Sequence, residues 1–254
     1  MNGKMNIIDV DENNVAALGF FCKMSDKKNP GYARKQKWLK ERFGEGLRIK
    51  MLDLRMGGRG FIEYIPGEYA WRAVDCKGYM FIHCIFVVGK SKGNGYGKRL
   101  VEECVEDARK AGMNGVAMVT SENNWLARKK FLEKMGFEQV DSAPPSFALM
   151  VKKFKNCPSP SFTGGWEEKA SKHKKGLTIF RSGQCPYMDD AARIVEEYAK
   201  KTGLQCKTVE LQSAEEVRRQ SPSAYGAFGI VYNGKLLSYS YLLEKELKEK
   251  LKTD

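Results

Sequence analysis

No apolar run in this chain reaches the roughly 18 residues that a membrane-crossing helix needs, so a helical membrane protein is not expected. The opening stretch MNGKMNIIDVDENN has no apolar core of a leader peptide, and no secretory signal is expected. Zinc-type Cys-x-x-Cys pairs are missing as well. The seven cysteines stand at 22, 76, 84, 104, 157, 185 and 206, an odd number, several of them in apolar stretches. That pattern fits thiols in a reducing cytoplasm better than a disulfide framework, and no metal-ligand cluster is visible. Internal repeats, long low-complexity tracts, a zinc finger, an aromatic RNP pattern and a clear recognition helix are absent too.

What is present suffices for a packed core. Hydrophobic residues make up 42% and aromatics 11%, which argues against a disordered protein, and 254 residues give one large or two smaller domains. Lysine and arginine (44) outnumber aspartate and glutamate (31), a net charge of +13. A basic surface suits an anionic partner such as a phosphorylated cofactor, an acidic substrate or nucleic acid. The lysines are scattered, so nucleic acid is set aside and much of the excess reads as solubility.

The chain divides near 156–176, where NCPSPSFTGGWEEKASKHKKG mixes Pro, Ser, Gly and Lys without periodicity and reads as a linker. This gives a domain over 1–156, a linker over 157–176 and a second domain over 177–254. The first part alternates strands (6–10, 47–54, 60–65, 79–88, 116–120, then two within 137–154) with helices (13–23, 32–43, 96–111, 125–134). The second repeats the alternation on a smaller scale. Strands are expected at 177–181, 205–211, 228–232 and 235–239, the last two around the hairpin signal Asn233-Gly234. Helices are expected at 189–202, 215–220 and 243–251.

The most informative segment follows the strand at 79–88. It reads Lys92-Gly93-Asn94-Gly95-Tyr96-Gly97-Lys98-Arg99 and opens an amphipathic helix with Leu100, Val101, Cys104, Val105 and Ala108 on one face. Glycines let backbone N–H groups approach a ligand without a Cβ in the way, and the helix start adds unpaired donors and the positive end of its dipole. Lys92, Lys98 and Arg99 add full charges. The turn suits a diphosphate; an ordinary tight strand–helix turn is the alternative. No acidic residue follows about 20 residues on, so it is not the dinucleotide fingerprint, and the GK[ST] ending of a P-loop is missing.

The turn resembles the acetyl-CoA signature of the GNAT N-acetyltransferase family, [Arg/Gln]-x-x-Gly-x-[Gly/Ala], at Lys92, Gly95 and Gly97. Lysine at the first position keeps the charge and loses the guanidinium fork. The likeness continues in Phe131-Leu132-Glu133-Lys134-Met135-Gly136-Phe137, the helix that ends in Gly-Phe before the last strands, and covers about residues 5–155. It implies an α/β fold with a mixed central sheet flanked by helices. It also implies acetyl-CoA as co-substrate, held at Lys92, Gly93, Asn94, Gly95, Tyr96, Gly97, Lys98 and Arg99, with Asn124 beside it or capping the next helix. The pantetheine arm would pair with the backbone of Phe86, Val87 and Val88. Many members protonate the departing thiolate with a tyrosine four residues before the glycine; here that position is Leu132, and Tyr96, at the helix start, is no obvious substitute.

A base that neutralises the attacking amine is expected among His83, on the central strand, and Glu122, after the strand at 116–120. The alternatives are a hydrogen-bonded sheet histidine and a solvated or capping glutamate. Trp71 and Trp125 either line a pocket or pack in the core. Tyr32, Arg34 and Lys35 either meet an acceptor carboxylate or lie on solvated helix surface.

In the second part, Cys185-Pro186-Tyr187-Met188 stands between a strand and a helix, where the dipole favours a thiolate. The element order resembles a glutaredoxin or thioredoxin-type domain, with Met188 in the place of the second cysteine and Cys206 in another element. Pro222 would loosely match the cis-proline of such folds. A GNAT-like domain followed by a smaller thioredoxin-like α/β domain resembles the bacterial YoaP-type acetyltransferases and implies a cytoplasmic bacterial enzyme. The expected activity is transfer of acetyl from acetyl-CoA to a small-molecule or peptide amine in a ternary complex, with no metal, nucleic-acid or membrane partner. The rivals are a thiol-redox protein working through Cys185 and a non-catalytic acyl-CoA sensor. Oligomeric state is left open.

Overall fold

The structure, a computed structural model, describes residues 6–122 and 126–253. No described helix is long and apolar enough to cross a membrane. The chain gathers into two compact units. One holds the residues up to Met24, Leu39–Ala70 and Asp75–Ser161; the other holds Ser25–Trp38, Trp71–Val74 and Phe162–Asp254.

The first unit is built on a seven-stranded mixed sheet. Its strands are β1 (Ile7–Val10), β2 (Arg48–Leu52), β3 (Gly60–Pro66), β5 (Met80–Val87), β6 (Gly115–Thr120), β7 (Glu138–Ala143) and β8 (Phe147–Lys153). The two-residue strands β4 (Val74–Asp75) and β9 (Ser161–Phe162) stand outside it. The order is β1-β2-β3-β5-β6-β8-β7. Every neighbouring pair is antiparallel except β5 with β6, joined by the helical crossover α3 (Tyr96–Lys110).

The apolar stripe of α3 decides where that helix lies. Leu100, Val101, Cys104 and Ala108 pack with Ile62, Tyr64, Ile82, Met118, Leu132 and Met150 in one core under the sheet. A polar cluster fixes the far end of the helix. Asp107 accepts a hydrogen bond from the buried Tyr64 hydroxyl and pairs with Arg48 at 2.9 Å. Lys50 lies 3.1 Å from Glu103 and 3.2 Å from Asp9. Burial pushes the Asp107 carboxyl up, but the hydrogen bonds from Tyr64 and Arg48 and the charges of Lys50 and Arg48 outweigh it, so it titrates below the usual range. Burial raises the Cys104 thiol far above its ordinary value, which makes it core material.

Two helices are shorter than the periodicity predicts. The helix expected over 13–23 is α1 (Val15–Leu18), stopped by Gly19 at φ 73°. The helix expected over 125–134 is α4 (Lys129–Glu133) among the described residues. The helix expected from 32 is α2 (Pro30–Phe43), begun by a proline whose missing N–H costs nothing there. The stretch read as an unstructured linker contains α5 (Trp166–Ser171), with Glu167 and Glu168 in its first turn.

The second unit carries a four-stranded sheet, β11 (Cys206–Glu210), β10 (Leu177–Arg181), β12 (Phe228–Tyr232) and β13 (Lys235–Ser238), in that order. β10 and β11 are parallel; β12 and β13 are antiparallel. The helices α6 (Met188–Thr202), α7 (Ala214–Gln220) and α8 (Glu244–Thr253) connect and close it. Residues from far upstream complete this unit. Trp38 and Trp71 meet edge to face at 5.3 Å, Arg72 donates to Gln184 at 3.0 Å, and Arg34 bonds Asp189 at 2.9 Å and Glu210 at 3.1 Å. Arg34 is therefore spent on carboxylates of its own chain rather than kept for an acceptor. Lys35 is buried with Nζ 3.9 Å from the Trp38 ring centre, and Trp71 is core. Tyr32 is buried too, and its hydroxyl is pushed up by that burial.

The expected cis-proline is corrected. The bond before Pro222 is trans; among the described residues the cis bond is Pro144–Pro145. Pro222 ends α7, since the residue before a proline is held extended, as Ser221 is, and its ring lies against Gly229 of β12.

Candidate active site

The centre of the first unit is a place where two strands part. β5 runs beside β3 from Met80 to Val87. Beside β6 its ladder is recorded only from Met80↔Val116 to Ile82↔Met118 among the described residues. β6 meanwhile stays paired with β8 as far as Thr120. The parting coincides with a β-bulge: Tyr64 faces Ile82 and Glu63 faces Cys84, so His83 is the extra residue. A bulge bends its strand and raises its twist, which turns the end of β5 away from β6.

The gap receives backbone groups from alternate residues. Val88 donates its N–H to the Arg59 carbonyl at 2.8 Å and accepts from Ser91 at 3.3 Å. Bonding direction alternates along an antiparallel strand, so Phe86 also turns its amide toward β3, whereas Val87 and Ile85 turn theirs into the gap. Of the three residues expected to pair with an extended ligand, Val87 is the one so placed; Phe86 and Val88 are spent on β3 and the following turn. On the side-chain level Val87 packs toward the α3 core, and Phe86 is 43% exposed.

Beyond Val88 the chain forms a short turn held by its own polar groups. The Ser91 hydroxyl accepts from the Arg59 N–H at 3.0 Å, and the Asn94 amide donates to the Lys90 carbonyl at 2.7 Å. Gly93 and Gly95 sit at φ 85° and 76°, with nothing within 4 Å of where a Cβ would stand. Gly95 is the N-cap of α3, and no side chain caps the helix. The first N–H groups of α3 thus lie at an open, basic turn. Lys92 and Lys98 are exposed, Lys98 3.7 Å from Glu102; Tyr96 packs on the core and Arg99 is half-buried. A Cβ on Gly97 would lie 3.4 Å from the Phe131 ring and 3.9 Å from Val87. The turn, the end of β5 and α4 therefore converge at Gly97.

His83 is buried on the central strand, with Nδ1 3.2 Å from Oε1 of Glu63. Glu63 escaped the sequence reading. Its signal was a single carboxylate inside the apolar strand GFIEYIP. A carboxylate on Nδ1 orients the imidazole. Glu122 is exposed just past β6, where it lines a cavity of about 860 Å³ with Ser121, Arg128, Ser146 and the Pro144–Pro145 hairpin. Asn124 and Trp125 lie outside the described residues. Leu132 is fully buried in the core, so no phenol stands at that position.

A profile of the Acetyltransferase (GNAT) family matches residues 34–137. A protein of Bacillus subtilis (strain 168) named uncharacterized N-acetyltransferase YoaP is 31% identical over 253 residues, 98% of this chain and 99% of that protein. The chain belongs to the GNAT acetyltransferase family. Among solved structures, the acetyltransferase is similar to the PaiA N-acetyltransferase from Thermoplasma acidophilum in complex with coenzyme A. The identity is 15% and the TM-score 0.44, over 60% of this chain and 100% of that one. The aminoglycoside 6′-N-acetyltransferase from Enterococcus faecium is 17% identical with a TM-score of 0.43, over 61% and 100% of the two chains.

Proposed function

We propose that this acetyltransferase moves the acetyl group of acetyl-CoA to an amine by direct attack within a ternary complex. The observation that carries the reading is a coincidence on one strand–helix unit. β5 leaves β6 after Ile82, and the same chain then builds an uncapped helix start at Gly95. A long ligand with a diphosphate at one end and an extended amide-bearing arm at the other matches both features. The diphosphate lies against the N–H groups of Gly93, Asn94, Gly95, Tyr96 and Gly97, with Lys92, Lys98 and Arg99 supplying charge. The arm enters the gap and pairs with the backbone of Val87, whose N–H also polarises the thioester carbonyl. Asn124 completes the cofactor side.

The amine nitrogen attacks the thioester carbon, the C–N bond forms, and the C–S bond breaks to release the CoA thiolate. The proton lost by the amine passes to Nε2 of His83, held in place by Glu63. Because His83 is buried, the transfer runs through water. Glu122 serves the acceptor side as a second base. With Leu132 in the place of a phenol, the thiolate takes its proton from solvent.

The acceptor is a small-molecule or peptide amine, and the enzyme works in the cytoplasm. The part of the second unit over 177–254 is read as a thioredoxin-like domain, joined by 157–176 to an acetyltransferase domain over 1–156. Its order β10-α6-β11-α7-β12-β13-α8 and its sheet order support that reading. Cys185 lies just ahead of α6, outside the transfer reaction.

Acetyl-CoA-dependent turnover across an amine library, read by CoA release and product mass, tests the proposal. Acetylated product from at least one amine class is expected. Tight CoA binding without turnover on any amine would instead identify a non-catalytic sensor, and no CoA binding would remove the cofactor site itself.

A further inference from the structure

The second unit contains a concavity that acetyl transfer leaves unused. It lies where the 172–176 loop passes the starts of β10 and β11, at the end of the parallel pair opposite the Cys185 loop. Its volume is about 630 Å³, within the range of small-ligand pockets. Lys172, Lys174, Lys175 and Lys207 line it, with Leu177 and Cys206 beside them and, among the described residues, no carboxylate. Lys172 pairs with Glu168 at 3.1 Å, both ends exposed. Lys174, Lys175 and Lys207 make no ion pair among the described residues. Three like charges held near one another without ion-pair partners repel, and an entering anion relieves that repulsion.

The loop that carries these lysines is fixed. Gly176, at φ 65°, lies so close to β11 that a Cβ would stand 2.3 Å from the Gln205 carbonyl. Its N–H donates to the Asn233 side chain at 2.9 Å, and its carbonyl accepts the Asn233 N–H at 3.1 Å. The Leu177 N–H donates to Gln205 at 2.8 Å. The lysines are thus mounted on a pinned turn and on the first residues of an edge strand, rather than on a tail. Their field reaches inward: His173 titrates below its usual value, first through burial and then through Lys207 and Lys172.

We infer that this concavity is a binding site for a small polyanion bearing two or more phosphate groups. A concavity of this size lined by four lysines suits a compact, multiply charged ligand. A macromolecule would need a broad, open charged face. Lysine serves phosphate as a point charge without demanding a fixed fork geometry, which fits a cluster of ammonium groups and no arginine.

Cys206 is a reporter already in place, half-buried in the site wall. The rate of its alkylation is measured in the full chain by peptide mapping, which separates it from the other six thiols, with inorganic tripolyphosphate as the probe. Saturable slowing of about fivefold or more is expected, weakening as ionic strength rises. A Lys174→Glu/Lys175→Glu variant should lose the slowing. Both side chains are exposed, so the fold is retained, and reversal of Lys248 on α8 should leave the slowing intact. The inference is overturned if tripolyphosphate does not slow alkylation at Cys206, or slows it equally in the double variant. It is also overturned if an acidic polypeptide protects Cys206 and tripolyphosphate does not.

Discussion

Nδ1 of His83 lies 3.2 Å from the Glu63 carboxylate, and both side chains are buried. The bulge that inserts His83 into β5 also marks where β5 leaves β6. One irregularity therefore coincides with the parting of the two strands and with an imidazole paired to a carboxylate.

The two members of that pair should fail differently. His83→Ala is expected to lose about 10²–10⁴ in kcat/KM as the general base disappears, with CoA affinity kept. Glu63→Gln keeps the shape and removes only the anionic orienter, so a loss of about tenfold is expected. Steady-state kinetics beside calorimetric CoA binding checks both. Near-normal turnover in His83→Ala would make the histidine structural.

Gly97→Asp tests the phosphate turn. An aspartate in the first turn of a helix normally stabilises that helix, so loss of fold is not expected. In the proposed complex the same charge faces the cofactor phosphates, and affinity for acetyl-CoA should fall by about 2–3 kcal/mol. Gly97→Ala is the control, because its Cβ meets the Phe131 ring at a tight but tolerable 3.4 Å. Equal affinities for both variants in calorimetry would move the phosphates elsewhere.

Asp107 gives the fold a pH signature. Its folded carboxyl titrates below the ordinary range, so its contribution is complete above about pH 4, the unfolded value, and is lost as pH falls through the folded one. Asp107→Asn should cost about 2 kcal/mol at neutral pH, since Arg48 and Lys50 lose their shared partner. Urea midpoints measured from neutral to acid pH should fall less steeply in the variant than in the parent. Parallel curves would show that other carboxylates dominate.

Cys185→Ser should leave kcat and the KM for acetyl-CoA close to their original values in the full chain. Cys185 precedes α6 in the second unit, and every residue assigned to the transfer belongs to the first. Abolished transfer in a folded serine variant would bring the second unit into the active site.

The local grammar of this protein was legible in its residues. The glycine turn, the apolar stripe of α3 and the Asn233-Gly234 hairpin follow from interactions spanning a few positions, and the strands 177–181 and 228–232 agree with β10 and β12. The limits of α1 and the presence of α5 were not legible, because helices this short depend on packing rather than on propensity.

The sequence by itself determined the order of elements and the glycine turn ahead of α3, since glycine at positive φ and helical periodicity act within a few residues. Tertiary structure alone decided what meets what. The register that sets Glu63 against His83 and separates β5 from β6 comes from a bulge in a sheet whose partners are distant in the chain. The enlistment of Trp38, Trp71 and Arg34 in the second unit, and the gathering of Lys172, Lys174, Lys175 and Lys207 around one concavity, depend on the same physics. Apolar burial and backbone pairing reward contact wherever it occurs along the chain, so neither can be read from spacing.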